Sequence, residues 1–231
     1  MKKAVIFLDY NDTFDDIGLD KGKVFICALK RLVRLYNKNI DIVVITAAKT
    51  KDEYSIKNDL SMTLSHFPPL VREQFTQLIE NNCKYISKIT HDNLMPTIGK
   101  RTILSTEDGT KKDGVEALLK KFYSEERLDA CIFVGDSQTL DLVMMDADVG
   151  SAKKVFVYAN KKMLKSEKYP IYKLSFGINT TKFNYAKDIK QKTTGQNLII
   201  HSSNKSFGAG KGLEAATCIL EEKHKEEKTK N

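Results

Sequence analysis

The chain has 231 residues, of which 41% are apolar and 29% charged. That composition supports a single α/β domain with a buried core and excludes wholesale disorder, and no run approaches the roughly eighteen consecutive apolar residues of a membrane span. The formal charge is +8, and only five of the basic residues are arginine (Arg31, Arg34, Arg72, Arg101 and Arg127); dispersed lysine of this kind is a solvated surface more often than a nucleic-acid face, so no nucleic-acid partner is expected, while an anionic substrate is favoured.

Met1-Lys2-Lys3 leads into a short apolar run that Asp9 ends too early for a secretory signal. Cys27, Cys83, Cys131 and Cys218 are far apart and lack CxxC spacing. Cys27, Cys131 and Cys218 stand among apolar neighbours, which predicts reduced core thiols and a reducing, cytoplasmic compartment.

Taken in order, Ala4–Leu8, Ile40–Ile45, Arg101–Leu104, Ala130–Val134 and Lys154–Tyr158 are near-continuous apolar runs of the kind that form buried parallel strands, and Asn197–His201 is a sixth. Val24–Tyr36, Gly114–Phe122 and Gly212–Glu222 carry apolar residues at helical spacing. Strands alternating with amphipathic helices predict a doubly wound parallel sheet. Residues 50–98 are expected to hold a small helical insert around Asp52–Leu64 and Leu70–Asn82, broken by Phe67-Pro68-Pro69. Residues 160–195 read as an irregular surface excursion. The expected organisation is one domain over residues 1–222, followed by a charge run at 223–231 that is either a solvated helix end or a linker.

Ligands of an open parallel sheet sit beyond the carboxyl ends of its strands. The first strand ends in Asp9-Tyr10-Asn11-Asp12-Thr13, the second in Thr46, and the fourth in Gly135-Asp136-Ser137-Gln138-Thr139-Leu140-Asp141. Lys111-Lys112-Asp113-Gly114 precedes the helix that feeds the fourth strand. A strand-end Asp alone is commonly a helix cap, but carboxylates, a hydroxyl and a lysine converging on one edge point to chemistry. Gly208-Ala209-Gly210-Lys211-Gly212 lacks the Gly-Lys-Ser/Thr ending of a Walker loop and reads as a glycine-rich helix entrance. His66, His91, His201 and His224 show no metal-ligand spacing.

In these positions the chain resembles the haloacid dehalogenase superfamily, in its magnesium-dependent phosphatase branch. Asp9 and Thr13 match the first motif of that family, Thr46 the second, Lys112 (or the neighbouring Lys111) the third, and Gly135, Asp136 and Asp141 the fourth. The segment Asn204–Glu214 is similar to the C-terminal part of some sugar-phosphatase relatives. The resemblance implies a phosphatase core with little or no cap and a bound magnesium ion. By that resemblance Asp9 is the nucleophile that forms an aspartyl-phosphate, and Asp136 is the main further metal ligand. Asp141 binds the metal through water or orients its shell, Thr46 holds a phosphoryl oxygen, and Lys112 neutralises developing charge.

Asn11 departs from the family pattern, which has a second Asp there. Its backbone carbonyl can still bind magnesium, but an amide cannot protonate a leaving oxygen, a loss of about 10² to 10⁴ in rate. A phenol, with pKa about 10, leaves tolerably without that proton, whereas an alkyl alcohol does not. Asp12 is either a displaced acid or a turn residue. These points favour an aryl phosphate such as phosphotyrosine presented by a protein, in keeping with the absence of a large cap. In size and lysine-rich character the chain is similar to translocated bacterial effectors with such a core. A small-metabolite phosphatase and a non-catalytic binding module remain the alternatives.

Overall fold

The computed structural model describes residues 3–9, 13, 19–37, 39–46, 69, 73, 89–90, 93–94, 102–105, 110–124, 127–174, 197–203 and 208–230. In chain order the elements are β1 (Ala4–Asp9), α1 (Leu19–Leu35), β2 (Ile40–Thr46), β3 (Ile89–Thr90), β4 (Asn93–Leu94), β5 (Thr102–Ser105), α2 (Lys111–Phe122), β6 (Ala130–Gly135), a 3-10 turn (Leu142–Asp146), β7 (Lys153–Ala159), β8 (Ile171–Leu174), β9 (Leu198–Ser202) and α3 (Gly208–Lys230). Seven strands form one sheet in the order β5-β2-β1-β6-β7-β9-β8, and every pairing in it is parallel.

Side-chain alternation builds two cores from these strands. Ala4, Ile6 and Leu8 of β1, Ala130, Ile132 and Val134 of β6, and Val155 and Val157 of β7 all face one side, where α1 and α3 cover them. Val5 and Phe7, Cys131 and Phe133, and Phe156 and Tyr158 face the other side, against α2 and the 3-10 turn. The sheet is therefore covered on both faces, which is why its strands read as unbroken apolar runs. Six of its strands lie where those runs predicted them.

Other expectations need correction. The excursion predicted over 160–195 contains β8, a four-residue edge strand that starts directly after Pro170 and pairs with β9. A Pro cannot donate to a ladder, but it is tolerated just before an edge strand. Cys27 is exposed, not a core thiol, and Cys218 is half-buried; of the three described cysteines only Cys131 is fully buried. The expected helical insert falls mostly outside the described residues, as does Cys83, and the short antiparallel pair β3–β4 lies within its span. Among the described residues no helix is long and apolar enough to cross a membrane.

The glycine-rich segment forms the first turns of α3. A Cβ on Gly210 would lie 2.8 Å from the Phe25 backbone nitrogen, and one on Gly212 would lie 2.2 Å from Val157 Cγ1. These glycines let α3 press against α1 and β7. The charged segment beyond Glu221 continues α3 and does have an anchored face. His224 is buried and its Nε2 lies 2.8 Å from Asp129 Oδ2, while its ring meets Tyr36 edge-on at 5.1 Å. Lys223 donates to Asp129 Oδ1 at 3.1 Å, and the Tyr36 hydroxyl donates to Asp129 Oδ2 at 2.9 Å. This knot ties α1 and α3 to the start of β6, at the amino ends of the strands.

Ser202, at the end of β9, is fully buried, and among the described residues its hydroxyl oxygen has no hydrogen-bond partner. Replacing it by alanine is expected to leave stability unchanged or raise it by up to about 1 kcal/mol, because an unpaired buried hydroxyl is removed. Denaturant unfolding measures this, and a loss above about 1 kcal/mol would show that the hydroxyl has a partner in solution.

Candidate functional site

From β1 the sheet grows one way through β2 and β5, and the other way through β6, β7, β9 and β8. The carboxyl ends of β1 and β6 thus flank the topological switch point, where ligands of doubly wound sheets bind. Asp9 is the last residue of β1 and Asp136 directly follows β6. Alternation along β1 carries Asp9, after Val5 and Phe7, to the face that α2 covers.

Lys111 is the first residue of α2. A capping box fixes the start of the helix: the Thr110 hydroxyl accepts from the Asp113 backbone N–H at 3.2 Å, and the Asp113 carboxylate accepts from the Thr110 N–H at 3.0 Å. The buried stripe of α2 is Lys111, Gly114, Val115, Leu118 and Leu119. Lys111 therefore points into the protein. Its ammonium lies 2.5 Å from Asp9 Oδ1 and 2.5 Å from Asp141 Oδ1.

Asp141 is 1% exposed, and its second oxygen accepts the backbone N–H groups of Asp136 at 3.0 Å and Ser137 at 2.9 Å. Gly135 makes room for this fold-back, since a Cβ there would come within 2.4 Å of Asp141 Oδ2. Thr13, also buried, donates its hydroxyl to Asp9 Oδ2 at 2.8 Å. Asp136 is the least buried of the three carboxylates. Asn160, just past β7, donates its side-chain amide to the Asp136 backbone carbonyl at 2.8 Å and faces Asp136 Oδ2 at 3.4 Å. Asn160 is itself held by the Lys162 backbone N–H on its side-chain oxygen at 3.0 Å. His201 Nε2 lies 3.0 Å from the Asn160 carbonyl oxygen; a carbonyl can only accept, so this contact assigns the ring proton to Nε2.

One carboxylate oxygen from each of Asp9, Asp136 and Asp141 lies within 4.8 Å of the others. With all three ionised, three carboxylates crowd one edge, and the Lys111 ammonium is shared between two of them, Asp9 and Asp141. Burial first, and then the Asp141 charge, push the Asp9 carboxyl up to about 7 against the pull of Lys111. Burial draws the Lys111 ammonium down, but Asp141 and Asp9 outweigh it and hold it above its ordinary value. A hard divalent cation would relieve the repulsion between Asp9 and Asp141 and favour the ionised form of Asp9, and oxygen donors suit magnesium. Asp141 already spends both oxygens on Lys111 and on backbone N–H groups, so Asp9 and Asp136 are the residues placed to ligate, with Asp141 as their support.

Of the residues singled out in the sequence, the structure brings Asp9, Asp136 and Asp141 together. It does not bring Lys112, whose ammonium points outward to Glu116 at 3.8 Å. The helix starts three residues before the predicted Gly114, which puts Lys111 on the buried stripe and Lys112 about 100° further round the helix, at the margin of that stripe. That stripe was readable, because Lys111 precedes Val115 by four and Leu118 by seven. Thr46 closes β2, one residue beyond the level of Asp9; its side chain, together with Tyr10, Asn11 and Asp12, lies outside the described residues. Asn160 went unread although it occupies a strand end, the position that marked Asp9 and Asp136.

A cleft of about 590 Å³ lined by Tyr123, Arg127, Leu128 and Asp148 opens at the amino ends of the strands, opposite the carboxylates. Comparison with protein-family models, with curated proteins and with solved structures gave no match.

Lys111→Met should cost roughly 3–5 kcal/mol of stability in the metal-free protein, by leaving two buried carboxylates without their cation, whereas Lys112→Met should stay within about 0.5 kcal/mol of the parent. Denaturant titration of the two variants distinguishes them. Asn160→Ala should weaken magnesium or manganese binding by about 10- to 100-fold while the fold persists. Calorimetric titration with either ion reads the first effect and circular dichroism the second.

Proposed function

We propose that the chain is a magnesium-dependent phosphomonoesterase working through an aspartyl-phosphate on Asp9, with residues 1–222 as its catalytic domain. The observation that carries this reading is the group of three carboxylates at the switch point, two of them held by one buried lysine. The order of these residues along the chain supports it further, since it follows the haloacid dehalogenase pattern that the sequence resembles.

Asp9 and Asp136 would hold the cation, with the Asn11 backbone carbonyl as a third protein ligand. When bound, the ion supplies charge neutralisation that lets a carboxylate approach a phosphate monoester. Thr13 and Lys111 each hold one oxygen of Asp9, which fixes the orientation of the carboxylate before attack. An Asp9 oxygen forms a bond to phosphorus as the ester oxygen departs with its electron pair. Lys111, fixed by Asp141, stays positive beside the charge that builds up, and Thr46 is assigned to a non-bridging oxygen. Water then cleaves the aspartyl-phosphate, releasing inorganic phosphate and restoring Asp9.

Asn11 provides no proton for the departing oxygen, so the favoured substrate is an aryl ester, phosphotyrosine on a protein. The compartment that follows is a cytoplasm, that of a host cell if the protein is translocated.

Turnover of p-nitrophenyl phosphate should require magnesium and should disappear in Asp9→Asn. Phosphotyrosine peptides should exceed phosphoserine peptides and sugar phosphates in kcat/KM by at least about 10²-fold. Unchanged turnover in Asp9→Asn would refute the nucleophile, and equal rates on alkyl esters would move the assignment to small metabolites.

A further inference from the structure

Two segments border the exposed side of Asp136: the turn Gln138–Leu140, and the segment Asn160–Tyr169 that follows β7. They are joined, since the Gln138 side-chain amide donates to the Lys165 carbonyl at 3.3 Å. The second segment is firmly seated. Leu164 is buried in the α2-side core. The Tyr169 hydroxyl donates to the Met145 carbonyl at 2.8 Å. Asn160 at its start holds Asp136.

The outer surface of this platform has an unusual content. Met163 is 65% exposed and Leu140 is 55% exposed, the two most exposed large apolar side chains among the described residues. Lys161, Lys162 and Lys165 beside them are exposed, and among the described residues none of the three makes an ion pair. Lys168, in the same segment, is paired with Asp146. Lysines left unpaired around two bare apolar side chains form a surface complementary to a partner that is both acidic and apolar. A rigid backing lowers the ordering cost of docking there. Exposed groups on segments that adjoin Asp136 suit a ligand that extends beyond the carboxylates, and an extended peptide, which advances about 3.3 Å per residue, is such a ligand.

We propose that Leu140, Lys161, Met163 and Lys165 form a docking rim for the residues flanking a phosphorylated side chain, selecting peptides with acidic and large apolar residues beside the phosphate. This rests on the phosphatase reading for the position of the phosphate, but the rim itself binds through groups that take no part in the chemistry.

The test uses two fluorescein-labelled phosphotyrosine peptides of equal length, one flanked by Glu and Leu and the other by Lys and Ser. Binding by fluorescence polarisation with magnesium present is measured in the Asp9→Asn background, which leaves the peptide intact. It is read for the otherwise parent chain, for the double variant Lys161→Glu/Lys165→Glu and for Met163→Ser, and turnover is measured with Asp9 restored. The Glu/Leu peptide should bind the parent at least about 10-fold more tightly than the Lys/Ser peptide, with affinity falling as salt rises. The charge-reversed variant should lose about 10-fold for that peptide, and Met163→Ser a smaller factor, while turnover of p-nitrophenyl phosphate is the same in all three proteins. Equal affinity for the two peptides, or no response to charge reversal, would overturn the proposal. So would charge-sensitive binding to phosphatidylserine vesicles without discrimination between peptides, which would make the rim a membrane-facing surface. If no protein turns over p-nitrophenyl phosphate but peptide discrimination and its loss on charge reversal are seen, the rim stands and the phosphatase reading falls.

Discussion

One buried ammonium organises the carboxyl edge of this sheet. Asp9 and Asp141 come from segments 132 residues apart and would repel each other if brought together alone; the Lys111 side chain joins them. The surrounding local features serve that contact. The Thr110–Asp113 capping box sets the first residue of α2, the apolar stripe of α2 sets the rotation that turns Lys111 inward, and Gly135 leaves space for Asp141 to fold back beneath the end of β6. A lysine at a helix N-terminus opposes the helix dipole, and only strong local anions make the position favourable.

The two edges of the sheet treat a buried aspartate in opposite ways. At the amino edge, burial pushes Asp129 upward, but hydrogen bonds and charge from His224, Lys223 and Tyr36 outweigh it and hold the carboxyl well below its usual range. Every need of that carboxylate is met, and its role is to bind α1 and α3 to the sheet. At the carboxyl edge, burial and Asp141 prevail over Lys111, and Asp9 rises. A fold that can satisfy an aspartate so completely at one end leaves another short of positive charge at the other. Perturbation of this sort, in a cluster of carboxylates that could hold a metal ion, is what makes Asp9 a candidate functional group.

Much of this was legible in the sequence because both faces of the sheet are buried. Continuous apolar runs located six strands, and the residues after them located Asp9, Asp136 and Asp141. The failures have equally local causes. Cys27 has apolar neighbours in sequence, but on the helix it lies beside Lys30 and Arg31, toward the outer face. β8 is four residues long and half-exposed at the sheet edge, so Ile171-Tyr172-Lys173-Leu174 carries little signal. Lys111 and Lys112 are hard to tell apart from sequence until Thr110, and not Gly114, is taken as the marker of the helix start. Reading 160–195 as loose surface concealed Asn160, whose partner, Asp136, is remote in sequence.

The orientation of Asp9 depends on nothing more than odd and even counting from Val5. Deleting or inserting a single residue within β1 would leave a strand of similar hydrophobicity yet swing the carboxylate through to the α1 and α3 side, away from Lys111 and Asp141. Point substitutions can therefore retune this edge gradually, but length changes in its first strand are all-or-nothing. Descendants of this chain would be expected to keep the spacing from core to Asp9 fixed.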